Sequence, residues 1–288
     1  MAKTLQSAAA EAVSETPDLR RLRAGGRVMS YREAGAPGAP ALLLLHGIGS
    51  GSLSWAAQLA SLPPRGYRVV AWDAPGYGES DPLAAAAPAA ADYAKALAAF
   101  AAALELDRFA LVGHSLGALM AAAFCRLHGA SRIERLVLAS PAAGYGSLPG
   151  EARLHKTEER LAGMARLGPD GLAQARAAIL LSPSAPAEAV EKIRAVMRSL
   201  RPEGYGQAVR MLGQADIFAD APHIAVPSLV LCGSADTVTP EAGCRNVAAA
   251  IAGARYESLP HLGHAAYVED PARFDAALLR FMSGMAKQ

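Results

Sequence analysis

Three cysteines in 288 residues are too few for a disulfide framework, and Cys125, Cys232 and Cys244 form no CxxC pair. That spacing also argues against a zinc site. A reducing compartment is the default expectation. Charge is scarce, at 19% of residues, and nearly balanced, with a formal net charge of +2. A nucleic-acid-binding chain would show a strong basic bias, so no nucleic-acid partner is expected. The arginines of the middle third are matched by nearby Glu and Asp, as on helix surfaces of mixed charge. No stretch of about 18 apolar residues runs without polar interruption, so no membrane span is expected. The first residues, "MAKTLQSAAAEAVSETPD", carry no secretory core or cleavage pattern. A cytoplasmic protein is the expectation that follows.

What the chain has is apolar residues, 52% of the total, enough for a substantial core. Residues 1–16 are alanine-rich and polar and are expected to be loosely ordered. "LRRLRAGGRVMSYREAG" predicts a hairpin about Gly25-Gly26. "PALLLLHG", "YRVVAWD", "RFALVGH", "RIERLVLAS" and "PSLVLCG" are short continuous apolar runs. Such runs predict strands buried on both faces, hence a mainly parallel sheet. Helix-type stretches alternate with them, around Leu53–Leu62, Asp92–Leu104, Leu116–Leu127 and Glu241–Ile251. "ARYESLP" predicts a last strand and Pro271–Met282 a last helix. The pattern is α/β: a mostly parallel, doubly wound sheet. It breaks between about Tyr145 and Pro222, where only helix-type segments occur. We expect a core of residues 17–144 and 223–288 with an inserted helical cap of residues 145–222.

The stretch "LVGHSLG" sets Gly113-x-Ser115-x-Gly117 between a strand and a helix. A strained turn there would expose a nucleophilic serine, and the small flanking residues would let strand and helix pass closely. The bland alternative is a structural serine in a Gly-Ser loop. A neutral serine needs a general base. His264, in "LPHLGHAAYVEDP", is the favoured one, with His261 as its rival. His114 adjoins the serine on a strand and is expected to point away from it. His46 is expected to brace a loop. The base in turn needs a carboxylate. Asp236 follows the strand "SLVLCG" and is favoured over Asp216 and Asp220; a helix-capping aspartate is the bland alternative. Oxyanion donors are expected from the Leu116 amide and from the loop "HGIGSGSLSW", where Ile48 is favoured and Gly49 comes next. That loop lacks the lysine of a phosphate-binding loop. Trp55, Met120 and Leu148 are candidate pocket liners, each equally readable as core.

Six blocks in order, "LLLLHGIGSGSLSW", "WDAPGYGESD", "LVGHSLG", "RLVLASPAAG", "LVLCGSADTVTP" and "LPHLGHAAYVEDP", resemble the α/β-hydrolase superfamily. The likeness is to its capped members: enol-lactonase-like proteins, small esterases, cofactor-free haloperoxidase-like enzymes and carbon–carbon bond hydrolases. The resemblance implies Ser115 as nucleophile, Asp236 as acid, His264 as base, and the Ile48 and Leu116 amides as oxyanion donors. Asp73, in "WDAPGYGESD", looks like the family's loop-organising aspartate and is the runner-up acid. The expected activity is hydrolysis of a small carboxylic ester or lactone through an acyl-enzyme, with no metal or organic cofactor, and with substrate and water as the partners. Homo-oligomers are compatible with this. The alternatives are cleavage of a carbon–carbon bond in a vinylogous diketone, and ligand binding without catalysis. The oxyanion loop "GIGSGS" departs from the Gly-Pro-Gly of some carbon–carbon hydrolases.

Overall fold

The computed structural model describes residues 16–283. The expected N-terminal segment, 1–16, falls almost entirely outside them. Eight strands form one sheet: β1 (Arg20–Ala24), β2 (Arg27–Ala34), β3 (Ala41–Leu45), β4 (Arg68–Trp72), β5 (Phe109–His114), β6 (Ile133–Ala139), β7 (Ser228–Gly233) and β8 (Arg255–Leu259). Their spatial order is β1-β2-β4-β3-β5-β6-β7-β8. β1 and β2 form the predicted hairpin, and β2 pairs antiparallel with β4. Every later pairing is parallel. The apolar runs explain this. β3, β5 and β7 are buried at every position, because helices cover both faces of the sheet.

The helices are α1 (Ala56–Ser61), α2 (Ala90–Ala103), α3 (Leu116–His128), α4 (Gly150–Arg176), α5 (Ala187–Arg198), α6 (Pro202–Gln214), α7 (Ile217–Asp220), α8 (Glu241–Ala250), α9 (Ala266–Glu269) and α10 (Pro271–Met282). Among the described residues between β6 and β7, all regular elements are helical: α4 to α7 and two short 3-10 turns. These helices occupy the stretch expected to form a cap. α4 breaks at Gly168, which takes φ 62° just before Pro169, so it is two helical pieces meeting at a kink. The cap's entry and exit are tied together. The Tyr145 amide donates to Leu212 O and the Ile217 amide to Ala143 O, both at 2.9 Å.

Chain order and strand order part company at β3. From there the chain turns to β4 on one side and later to β5 on the other. In open α/β sheets, ligands sit beyond the carboxyl ends of the strands at such a reversal. The loops after β3, β5, β7 and β8 gather there, with the cap above them.

Candidate active site

Ser115 directly follows β5 and directly precedes α3. Its backbone takes φ 52° and ψ −113°, a conformation that costs a non-glycine residue free energy. The neighbouring backbone holds it there. Ser115 N donates to Ala139 O at 3.0 Å, while Ser115 O accepts from the Ala118 and Ala142 amides at 3.0 and 3.2 Å. The two glycines are steric requirements of this turn. A Cβ on Gly113 would lie 2.6 Å from Gly117 O, and one on Gly117 would lie 2.6 Å from Leu45 O. The N-terminus of the 13-residue α3 points at the same place. Its first N–H groups lack intrahelical acceptors and favour negative charge.

Asp236 lies in the turn after β7, buried, and its acceptors are filled. Oδ1 accepts from the Val238 amide at 2.8 Å and the Thr239 amide at 2.9 Å. Oδ2 lies 2.9 Å from His264 Nδ1 and 2.8 Å from the Thr239 hydroxyl. Burial alone would raise the Asp236 pKa. The His264 hydrogen bond and charge, with the Thr239 donors, outweigh burial and hold the pKa at about 2. The ionised carboxylate can only accept a hydrogen bond, so it fixes the ring proton on Nδ1, which leaves His264 Nε2 as the basic nitrogen of the neutral ring. The Thr239 hydroxyl has one proton and three neighbours, the third being Ser140 O at 3.1 Å, so it braces the pair.

His264 is buried in the loop after β8, and His261 is exposed, with φ 64° and its amide donating to Ser234 Oγ. The other candidate acids are engaged elsewhere. Asp216 caps α7 through the Phe218 amide, and Asp220 pairs with Arg126. Asp73 ties the segment after β3 to strand β2, accepting from the Ser52 amide at 2.7 Å and from the Ser30 hydroxyl at 2.8 Å. His46 braces a loop as expected: Nδ1 donates to Gly47 O and Nε2 accepts from the Ala74 amide.

Ser115, His264, Ile48 and Leu116 line one cavity of about 390 Å³. Its walls from the cap include Leu172, Ile193, Met197 and Leu212. Ser115 Oγ and the His264 ring form no hydrogen bond with each other among the described residues. Such contacts are commonly loose before substrate binds.

The three expected pocket liners are displaced from this cavity. Trp55 is fully buried behind it, its ring stacked 4.0 Å from that of Tyr267, which does line the wall. Met120 faces the core because α3 is buried nearly all round. Leu148 lies half-buried before α4, outside the lining. His114 corrects the sequence reading in the other direction. It lines the cavity, its Nε2 donates to His264 O at 3.0 Å, and its ring lies 4.7 Å from the His264 ring. Burial, then the nearby His264 charge, lowers its pKa to about 3 and keeps it neutral. No motif marked Thr239, or the cap residues Arg160 and Arg176, which also face the cavity.

Residues 40–271 match the family model described as alpha/beta hydrolase fold. The protein of Klebsiella pneumoniae (strain 342) named RutD, a name assigning it to carbamate hydrolysis, is 32% identical over 260 residues, covering 86% of this chain and 93% of its own. The enol-lactonase of Burkholderia xenovorans LB400 superposes with a TM-score of 0.81 at 27% identity, covering 92% of this chain and 100% of that one. A malate-bound esterase of Thermogutta terrifontis gives 0.82 at 25% identity, covering 93% and 98%. With its strand order, its turn at Ser115 and a family match over most of its length, the chain belongs to the α/β-hydrolase family.

Proposed function

We propose that this protein is a serine hydrolase that cleaves a small carboxylic ester or lactone through an acyl-enzyme on Ser115. One observation carries the reading. A strained serine at the head of a helix shares a cavity with a histidine whose Nδ1 is held 2.9 Å from a buried carboxylate. In the proposed reaction, His264 Nε2 takes the Ser115 proton as Oγ attacks the carbonyl carbon. The Ile48 and Leu116 amides hold the resulting oxyanion, and Asp236 stabilises the imidazolium. His264 then protonates the leaving alkoxide, and the acyl group remains on Oγ. Water, deprotonated by the same nitrogen, releases the acid and restores the hydroxyl. Side chains, backbone amides and water supply every step of this route. Residues 145–222 act as the cap that excludes solvent and selects the substrate.

The RutD likeness supports a second reading on the same machinery. A carbamate presents the same electrophilic carbonyl with nitrogen on one side, and attack by Ser115 would give a carbamoyl-enzyme when oxygen leaves.

Steady-state turnover of 4-nitrophenyl butyrate tests the chemistry. Ser115→Ala is expected to lower kcat by at least about a thousand-fold. Wild-type turnover by that variant would refute the reading.

A further inference from the structure

The cavity holds two positive charges and no negative one on its wall. Arg160 and Arg176 both line it, and among the described residues no aspartate or glutamate does. The other lining residues are mostly apolar: Leu172, Leu180, Ile193, Val196, Met197 and Leu212. Neither arginine forms an ion pair among the described residues, although thirteen other pairs with Asp or Glu occur. Both are partly buried. Arg160 is also aimed. Its Nε donates to the Tyr145 hydroxyl at 2.8 Å, and Tyr145 itself lines the cavity. That bond, with a second to the Tyr205 side chain, holds the guanidinium and leaves its remaining N–H groups as donors. A partly buried guanidinium in a mostly apolar wall is favoured by a counter-charge, and a fixed guanidinium fork matches a planar carboxylate.

The geometry points to a substrate that carries a carboxylate, bound by Arg160 and Arg176 under the cap while its ester or lactone carbonyl lies at Ser115. This rests on the hydrolase reading above and names the substrate class for it. The apolar residues between the two ends suit a short hydrocarbon spacer. The cationic cap also sets a direction: the anion enters toward the cap, and the scissile carbonyl toward the sheet.

Two matched pairs of esters test this. In one the carboxylate is on the acyl side: 4-nitrophenyl hemiglutarate against 4-nitrophenyl pentanoate. In the other it is on the alcohol side: 4-acetoxybutanoate against its methyl ester. We expect the anionic member of at least one pair to have the higher kcat/KM, by about ten-fold or more. Arg160→Gln, and separately Arg176→Gln, should shrink that ratio through KM more than kcat. Arg160→Lys should restore it in part. Because the ratio is internal to each protein, a partly unfolded variant does not mimic the effect, and the wild-type ratio needs no variant at all. Ratios at or below one in both pairs would overturn the proposal.

If the wild type turns over none of these esters, the hydrolase reading fails by itself, and the anion site is then read from binding. Glutarate should raise the Tm of the wild type and of Ser115→Ala, and raise it less for Arg160→Gln. No shift with glutarate, or a shift with inorganic phosphate alone, would overturn the carboxylate assignment.

Discussion

Replacing Asp236 by asparagine keeps its shape and removes its charge. The Val238 and Thr239 amides would still claim the side-chain oxygen, so the new NH2 group would face His264 Nδ1. That nitrogen would then have to accept, which moves the ring proton to Nε2, where the base is needed. Asp236→Asn should therefore lower kcat on 4-nitrophenyl butyrate by about a thousand-fold or more with the fold retained. Near-wild-type kcat with a native near-UV circular dichroism spectrum would count against the assignment. At this scale the sequence was informative where chemistry has a motif. Ser115, Asp236 and His264 each follow a strand in a recognisable block. Thr239 and His114 escaped because their roles depend on where side chains meet in space. Thr239 lies just before α8, and its hydroxyl reaches Oδ2 of Asp236. His114 was read from strand alternation, but it is the last residue of β5, beside the turn, and its ring reaches the His264 carbonyl.

Between elements, the loop that carries His264 is clamped to the cap. The Ala265 amide donates to Leu180 O at 2.8 Å, and Glu269 accepts from the Ser182 and Gly263 amides, both at 2.9 Å. Gly263 is where the two backbones touch. A Cβ there would lie 2.4 Å from Leu181 C and 2.5 Å from Ser182 N. Those are backbone atoms, which cannot swing aside as a flexible side chain would. Gly263→Ala should cost about 1–3 kcal/mol of stability by overpacking. It should also depress kcat beyond what the loss of folded protein explains, because the shift is transmitted to His264. Chemical denaturation and active-site titration separate the two effects, and an unaltered kcat per folded molecule would break the link. Element positions were readable wherever burial on both faces left a continuous apolar run. β3 and β5 are of that kind, and the hairpin came from Gly25-Gly26, which take φ 55° and 81°. The helices between β6 and β7 were readable as a group because no strand-type apolar run interrupts them. Which of their side chains face the cavity was not. That depends on how α4 to α6 lie against the sheet, and periodicity along one helix does not contain it.

Over the whole molecule, buried neutral histidines make stability sensitive to acid. The folded pKa of His114 is about 3, while an unfolded histidine titrates near about 6.5. Between those values the unfolded chain binds a proton that the folded chain refuses, so stability present above about pH 6.5 declines as pH falls toward 3. Burial lowers the His46 pKa as well, in the same direction. Asp236, lowered from 3.8 to about 2, adds a second loss of about 2 kcal/mol between about pH 4 and pH 2. Urea unfolding at stepped pH should give a free energy that falls from pH 7 to pH 4, and His114→Phe should flatten that slope. An identical slope in the variant would show that His114 is not held neutral. No helix among the described residues is long and apolar enough to cross a membrane. The claim on which the rest depends is that Ser115 becomes acylated. Intact-protein mass spectrometry, milliseconds to seconds after mixing with 4-nitrophenyl butyrate, reads this directly. The account predicts a butyryl adduct on the wild type that maps to the peptide carrying Ser115 and is absent from Ser115→Ala. Release of nitrophenol at the wild-type rate from Ser115→Ala, or an adduct on any other residue, would contradict it.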